Sequence, residues 1–327
     1  MLHRVLSSLV VSLAAVLGLS FTLPALGQAY PSKPIRIVVP FPAGGPTDTI
    51  ARAVGIKLTE TWGQPVLVEN RPGASTIIGA EIVAKAPADG DTLMFTADAT
   101  LSVNPLLYSK LPYSPSDFQP ISLAAYVAEF LMVNGDVPVN TIQELVAYSK
   151  ANRGKLNYGS FGLGSNAHIE AEAFKQATGA DMTHVPFKGA AEAGPALLNG
   201  QIHVLFTSPN QVLAHIRSGR IKALGVQSNT RSPSLPNVPT FTEAGVNGFD
   251  SKVWFGFIAP AKVPADIARK LAAEIGKIVT APEFREKYIT AVALEPAPPG
   301  IEPFAAVLVS DKEKYSRFVK AANVKLD

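Results

Sequence analysis

Three turns, each between a predicted β-strand and a predicted helix, carry the residues best suited to hold a small anion. The first turn (40–49, PFPAGGPTDT) places Gly44 and Gly45 before a helix. Glycine lets backbone N–H groups come close to a ligand, and the start of the helix carries a partial positive charge. Thr47 and Asp48 are also ordinary helix-start residues, and for Asp48 this structural explanation is favoured.

The second turn (158–168, YGSFGLGSNAH) offers amide and hydroxyl donors without any fixed charge, which suits a carboxylate. Its candidate residues are Gly159, Ser160, Gly162, Gly164, Ser165 and His168. The same turn matches the dinucleotide pattern G-x-G-x-x-[GA] at 162–167. That pattern requires an acidic residue at the end of the next strand, near Phe187, but Asp181 precedes the strand. Nucleotide binding is therefore rejected.

The remaining candidates lie where other predicted strands end. Open α/β sheets bind ligands at this edge, which draws attention to 185–189 (VPFKG) and 207–211 (TSPNQ). Lys188 could neutralise an acidic ligand, or it could be a solvated lysine at the rim. Phenylalanines could form apolar walls, although they belong more often to the core. The candidates here are Phe187, Lys188, Thr207 and Ser208; Phe41 and Ala43 of the first turn, and Ala97 and Asp98 at the end of the third predicted strand, complete the set.

Enzyme chemistry has little support in the sequence. There is no G-x-S-x-G elbow and no Walker lysine motif, and the histidines at 168, 184, 203 and 215 form neither HxH nor HExxH. Ser165 and His168 leave a serine hydrolase as a remote alternative, but no orienting acid accompanies them. Without cysteine or clustered histidine, a metal site is not expected. We expect no catalytic residue, no cofactor and no metal.

The elements that must position these turns alternate between β-type and helical runs, which predicts an α/β fold with mainly parallel sheets. Strands are predicted at 33–41, 65–70, 92–97, 156–161, 183–188, 203–208, 221–227 and 252–260. Helices are predicted from about 47 to 62, from about 74, at 141–152, from 162–165 to 178, and at 190–199, 209–218, 264–280, 282–291 and 301–322.

Two extended apolar runs, 128–134 and 252–260, flank the middle third of the chain. If the chain crosses between two lobes at these runs, the first lobe comprises 30–130 plus 253–327, and the second comprises 131–252. A discontinuous first lobe joined by two crossing strands is typical of binding proteins that close about a hinge.

The start of the chain predicts export. His3 and Arg4 precede an apolar run at 9–19, which is too short to span a bilayer of about 30 Å. Small residues at 27–29 suit cleavage near Ala29/Tyr30, so residues 1–29 are predicted to be a signal peptide. A membrane anchor is less favoured, because polar and proline-bearing sequence follows at once.

Composition narrows the class further. With 47% apolar and 17% charged residues, the chain is predicted to form a well-packed globule. It contains no cysteine, which excludes disulfides and a cysteine-linked lipid anchor. The formal net charge of +3 without a basic cluster argues against nucleic acid as a partner.

Seven motifs follow one another along the chain: PFPAGGPTD (40–48), NRPGA (70–74), APADGDTL (86–93), VNPLLY (103–108), YGSFGLGSNAH (158–168), VPFKG (185–189) and WFGFIAP (254–260). Together they resemble the motifs of the Bug family, the periplasmic solute-binding proteins of tripartite tricarboxylate transporters. The resemblance covers essentially all of the chain after the predicted signal peptide.

This resemblance implies a periplasmic-binding-protein (Venus-flytrap) fold of two α/β lobes that encloses an organic carboxylate. Family members hold the carboxylate largely with main-chain amides and ordered waters from the turns matching 41–48 and 159–168. Their ligands include dicarboxylates, tricarboxylates, acidic amino acids and aromatic acids, so the motifs do not name the ligand. The implied role is capture for the membrane subunits of a transporter. A sensor that presents its closed form to a signalling receptor, such as a sensor kinase, is the alternative, and a monomer is expected.

The chain departs from the family pattern at one motif and carries an unexpected charge near another. The family often continues NRPGA with two glycines, whereas Ser75 and Thr76 stand here. If Asp98 faced the ligand, an anion beside it would be repelled unless an ammonium group lay between them. That arrangement would favour an amino acid. The alternative, in which Asp98 caps the following turn, is favoured.

Overall fold

The computed structural model of the chain describes residues 30–210, 212–249 and 252–326. The predicted signal peptide at 1–29 lies outside these residues, as does Gln211 of the third candidate group. No helix in the described part of the chain combines the length and the apolar character needed to cross a membrane.

The strands and helices agree with the predicted alternation. The strands are β1 (Ile35–Val39), β2 (Val66–Asn70), β3 (Thr92–Ala97), β4 (Phe118–Val127), β5 (Glu129–Asn134), β6 (Asn157–Ser160), β7 (Thr183–Pro186), β8 (Val204–Thr207), β9 (Ile221–Gln227), β10 (Val253–Pro260) and β11 (Glu295–Pro296). The α-helices are α1 (Pro46–Trp62), α2 (Ile77–Ala84), α3 (Asn104–Leu107), α4 (Ile142–Ala151), α5 (Asn166–Thr178), α6 (Ala190–Leu198), α7 (Leu213–Arg217), α8 (Ala265–Thr280), α9 (Pro282–Tyr288) and α10 (Ile301–Ala322).

The strands form two separate sheets. The first has the order β11-β4-β10-β3-β1-β2, and the second has the order β7-β6-β8-β5-β9. Both are mixed: β1 pairs in parallel with β2 and β3, and β6 does so with β7 and β8, whereas the other neighbours are antiparallel. The α/β class is as predicted, but the sheets are less parallel than expected, because the long strands at the crossings add antiparallel pairs.

Each sheet is covered on both faces. β1 (IRIVV) has four buried residues out of five, since α1 and α8 pack on one face of the first sheet and α2 packs on the other. In the second sheet, α4 and α5 cover one face and α6 covers the other. Burial on both faces explains why strands of this type are near-continuous apolar runs without alternation.

The chain leaves the first sheet at Ala128, between β4 and β5, and returns at β10. Strand β5 begins at Glu129 in the second sheet, close to the predicted lobe boundary at 130/131. The division into lobes at 30–130 plus 253–327 and 131–252 stays a prediction.

The C-terminal helix α10 joins both halves of the molecule. Near its start, Phe304 lies in the core of the first sheet, where its ring meets Trp254 edge to face at 4.7 Å between centroids. Near its end, Tyr315 and Phe318 belong to the core of the second sheet. One helix therefore packs into two hydrophobic cores.

We expect Phe304→Ala to lower the free energy of unfolding by about 3–5 kcal/mol, because it removes a buried ring and leaves a cavity. Val309 on the same helix is 69% exposed, so Val309→Ala should change the free energy by no more than about 0.5 kcal/mol. Urea unfolding of both variants measures the difference. Equal effects would contradict the position of Phe304 in the core.

Candidate functional site

Both glycine-rich turns lie at carboxyl edges of the two sheets. In the first sheet, Val38 of β1 pairs with Met94 of β3, so the first turn and Asp98 leave the sheet at one edge. In the second sheet, the parallel strands β6, β7 and β8 likewise end together. The second turn, Phe187 and the segment after Thr207 therefore share an edge.

These two edges meet at Asp98. The side-chain amide of Asn166, the first residue of α5, donates to both carboxylate oxygens of Asp98 at 3.2 Å. The Tyr315 hydroxyl of α10 donates to the same carboxylate. A Cβ added at Gly164 of the second turn would lie 3.0 Å from the Leu107 side chain, which follows β3. The second turn thus packs against the segment that follows strand β3 of the first sheet.

Asp98 itself is only 1% exposed. Burial and the nearby charge of Asp311 raise its pKa to about 6, against the opposing effect of the Tyr315 hydrogen bond. Since both of its oxygens accept bonds from Asn166, Asp98 joins the two halves of the molecule, and its position gives no specific support to an ammonium-bearing ligand.

The first turn is held in shape by Asp48. Its carboxylate accepts from the backbone N–H of Gly44, from the Asn70 side chain and from Arg52, each at 2.9 Å. Burial alone would raise the pKa of Asp48, but these three donors outweigh it and hold the pKa below the usual value. Gly44 has a φ of +86°, a conformation that favours glycine. Asp48 therefore braces the turn.

The helices that follow both turns begin without a side-chain cap. Gly45 precedes α1 and Ser165 precedes α5, and neither N-cap residue provides a capping side-chain bond. The first backbone N–H groups of a helix have no acceptor within the helix. Those of Thr47 and Asp48 in α1, and of Asn166 and Ala167 in α5, have no acceptor within their helices; that they donate to a ligand stays a prediction.

The second turn is held by its own side chains. Ser160 Oγ accepts from Gly162 N–H at 3.2 Å and lies 2.7 Å from His184 Nε2. Ser165 Oγ donates to the Gly162 carbonyl at 2.7 Å. The N–H of Gly164 donates to His168 Nδ1 at 3.1 Å. These contacts fix the turn; that its hydroxyls also touch the ligand stays a prediction.

The side-chain rings of His168, His184 and Tyr158 stack next to the second turn. The imidazoles of His168 and His184 are stacked at 4.1 Å between centroids, with Tyr158 beside them. Burial lowers the pKa of both histidines, that of His184 to about 4. A neutral His168 is required here, because Nδ1 must accept the Gly164 N–H. Ser165 and His168 are both engaged with the turn instead of with each other, which gives the hydrolase alternative no geometric support.

The other candidates differ in exposure. Lys188 is exposed, and its backbone N–H donates to Glu192 at 3.2 Å. Ala43 is exposed and Ala97 is buried. The half-buried candidates are Phe41, Phe187, Thr207 and Ser208. Five cavities of about 230–550 Å³ lie elsewhere on the molecule, and the candidates line none of these. One shared ligand pocket stays a prediction.

Ser75 and Thr76, which stand where the family often has two glycines, adopt a strained backbone conformation. Ala74, Ser75 and Thr76 all have positive φ, of 46°, 50° and 78°, a region in which side chains cost about 1–2 kcal/mol per residue. Hydrogen bonds hold the segment: Asn104 donates to the Ser75 carbonyl at 2.7 Å, and Thr100 donates to Thr76 Oγ1 at 2.8 Å.

Sequence reasoning missed two residues of the junction, Asn166 and Tyr315. Asn166 lay inside the second motif, but nothing local indicated that its amide would reach across to Asp98. Tyr315 lies 217 positions after Asp98 in the chain, and no sequence signal connects the two. Among the described residues, no group of three His, Asp or Glu side chains is placed to hold a metal ion.

Comparison with known proteins decides the family. Residues 50–324 match the tripartite tricarboxylate transporter family receptor, TctC. The chain belongs to this family. A curated UPF0065 protein of Bordetella pertussis is 37% identical over 279 residues, which cover 85% of this chain and 86% of that protein.

Solved structures of the same kind resemble the chain over most of its length. Rpa4515 of R. palustris with adipate has a TM-score of 0.79 at 31% identity, covering 90% of this chain and 99% of that one. The periplasmic binding protein BugD has a TM-score of 0.76 at 33% identity, with the same coverage. MatC from Rhodopseudomonas palustris with bound malate has a TM-score of 0.74 at 30% identity, covering 90% and 100%.

These similarities confirm three sequence predictions. The chain is a Bug-family receptor, its fold is the two-lobed α/β fold of periplasmic solute-binding proteins, and it is not an enzyme. The residues proposed to touch the ligand, in contrast, are not tested by them.

The hydrogen bond from Gly164 to His168 can be tested by two substitutions. Both His168→Ala and His168→Asn remove the ring stack, but the asparagine keeps an oxygen that can accept the Gly164 N–H. We expect the alanine variant to be less stable than the asparagine variant by about 1–2 kcal/mol. Urea unfolding gives this difference, and hydrogen exchange at Gly164 should be faster in the alanine variant. Identical exchange in the two would contradict the bond.

Proposed function

We propose that this protein captures a small organic dicarboxylate in the periplasm and delivers it to the membrane subunits of a tripartite tricarboxylate-type transporter. One observation carries the proposal. Helices α1 and α5 each follow a glycine-rich turn and begin without a side-chain cap. The two sheet edges at which these turns lie are joined by the hydrogen bond between Asn166 and Asp98. Relatives with adipate and with malate support a ligand that carries two carboxylates. In this proposal the chain is exported, its signal peptide is removed near Ala29/Tyr30, and it acts as a monomer.

The physical basis is recognition by uncharged donors. Each helix start directs backbone N–H groups and a partial positive charge toward one carboxylate, so a dicarboxylate can be held from both lobes at once. Excluding water between the lobes strengthens these hydrogen bonds. A ligand that contacts both lobes favours the closed arrangement, and that arrangement docks on the transporter.

Transport is favoured over signalling by the family itself, whose members are transporter receptors. An amino acid is less favoured than a plain dicarboxylate, because Asp98 is engaged by Asn166 and Tyr315.

Calorimetric titration tests the ligand class. Adipate and malate should bind saturably, whereas adipamide, which has the length of adipate without its charge, should bind at least about 100-fold more weakly, since each charge-assisted hydrogen bond contributes about 1.5–3 kcal/mol. Absence of binding by dicarboxylates, tricarboxylates and aromatic acids alike would contradict the proposal.

The role of one backbone N–H can be isolated at Asn166, the first residue of α5. Proline is tolerated there because the preceding Ser165 is extended, with φ −65° and ψ 157°. Asn166→Ala and Asn166→Pro both remove the side-chain bond to Asp98, but only the proline removes the N–H. The proline variant should bind the dicarboxylate about 10- to 100-fold more weakly than the alanine variant.

Circular dichroism of both Asn166 variants controls for folding. Equal affinity in two folded variants would mean that this N–H does not contact the ligand.

A further inference from the structure

Four buried carboxyl side chains gather where the two halves of the molecule meet, and we refer to them as the junction carboxyls. Their side chains come from the residue after β3, the crossing strand β5, helix α5 and helix α10. They are Asp98, Glu129, Glu170 and Asp311, with exposed fractions of 1%, 9%, 0% and 3%. Two belong to segments that join the sheets, since Glu129 follows the crossing point at Ala128 and Asp311 lies on the bridging helix.

Two of the four have strong partners. Asp98 accepts from Asn166 and Tyr315. Asp311 accepts from Trp254 Nε1 at 2.7 Å and from Lys314 Nζ at 2.6 Å. These bonds stabilise the charged form of both carboxylates in their buried positions.

Among the residues that the structure describes, Glu129 and Glu170 have no comparably strong partners. Within the described residues neither forms an ion pair, and neither carboxyl oxygen of Glu170 has a hydrogen bond of normal geometry. The side-chain amide of Gln227, at the end of β9, interacts with the Glu170 carboxyl and lowers its pKa, but the amide carries no charge that would balance a carboxylate. A buried carboxylate without a compensating charge is costly, and the cost disappears when the group is protonated.

The surrounding charges increase this cost. Lys314 faces the junction carboxyls, but it is already paired with Asp311. Burial and the charge of Asp98 raise the pKa of Glu129 to about 8. Burial and then the charges of Glu129 and Asp98 raise the pKa of Glu170 well above its usual value. In this conformation, the two glutamates are therefore protonated more readily than exposed ones.

We propose that Glu129 and Glu170 form a proton-sensitive latch: the arrangement in which Asn166 contacts Asp98 is stabilised when these glutamates are protonated, and their deprotonation favours separation of the lobes. The location suits this role. Glu170 lies one helical turn after Asn166 on α5, and Glu129 lies on the strand that crosses between sheets. A relative movement of the lobes would change the distances among these groups and would admit water to them.

Solvent reaches one member of the junction carboxyls, Asp311, from the side of the crossing strands. A cavity of about 440 Å³ is lined by Tyr126 of β4, by 228–230 after β9, and by Asp311 and Lys314 of α10. Asp311 is itself a junction carboxyl and Lys314 interacts with Asp98 and Glu170, so water in this cavity lies next to the group without unfolding of either lobe.

The sign of the effect follows from linkage. We call the conformation in which Asn166 contacts Asp98 the contact arrangement, and the conformation with the lobes apart the separated arrangement. The pKa values of the two glutamates are higher in the contact arrangement. At a pH between the two sets of values, the contact arrangement therefore binds protons that the separated arrangement releases. The contact arrangement is thus fully favoured below the ordinary glutamate pKa, and this advantage is lost as the pH rises through about 8, the value for Glu129. The ratio of contact to separated molecules should fall by up to about tenfold per pH unit for each proton released.

The absence of native cysteine allows a direct test by a pair of spin labels. Lys57→Cys on α1 and Lys150→Cys on α4 place one label on an exposed helix of each half. Distances are measured by pulsed electron resonance without ligand, from about pH 6 to about pH 9. The ligand-free sample separates this test from the proposed function.

We expect the wild-type distance distribution to shift from the contact arrangement toward the separated one as the pH rises. In Glu129→Gln/Glu170→Gln, which mimics the protonated pair, the distribution should stay at the contact arrangement throughout. Glu313→Gln, an exposed residue of α10 that lines the same cavity, should behave as the wild type does. A wild-type distribution that does not change with pH, or one that changes equally in the double variant, overturns the proposal.

Infrared spectroscopy provides the second measurement if the double variant folds poorly. The C=O stretch of a protonated carboxyl should be present in the wild type at neutral pH and reduced in each single variant, Glu129→Gln and Glu170→Gln. If neither single variant reduces this band, the glutamates are ionised and the latch does not exist.

Discussion

Recognition of an anion by peptide N–H groups depends on the position of the backbone, because these donors cannot be reoriented by a side-chain rotation. In the proposed site these donors come from the starts of α1 and α5, neither of which has a side-chain cap. The turns before them must then be held by other means. Asp48 fixes Gly44 in the first turn, and His168 fixes Gly164 in the second. The charged and titratable side chains therefore act mainly on the turns themselves.

The connection between the two sheets must align their carboxyl edges and still allow the two halves of the molecule to move relative to each other. Helix α10 supplies much of it, since Phe304 packs against the first sheet and Phe318 against the second. The polar part of the connection is the bond between Asp98 and Asn166, supported by Tyr315. Such a contact between buried polar groups is specific in geometry, while its net contribution to stability is modest because it must offset desolvation.

Local features were predictable from the sequence and distant pairings were not. The glycine turns, helix α10 at 301–322 and the alternation of elements follow from residue type and spacing, and the structure contains them. Strand β4 was missed, because Pro120 and an almost continuously buried pattern hide its period. Its pairing with β10 is visible only in three dimensions. The junction of Asp98 with Asn166 and Tyr315 joins residues 68 and 217 positions apart, which no local pattern encodes.

The left-handed segment at 74–76 has a consequence for how this chain can change over time. Ser75 and Thr76 occupy a backbone conformation that glycine would adopt freely, and Asn104 and Thr100 hold them there. Glycine at 75 and 76 would adopt this conformation without strain, so these two positions would depend less on hydrogen bonds from Asn104 and Thr100. Positions 100 and 104 would then tolerate replacements that are harmful in the present background. The effect of a substitution at 100 or 104 is thus expected to depend on which residues stand at 75 and 76.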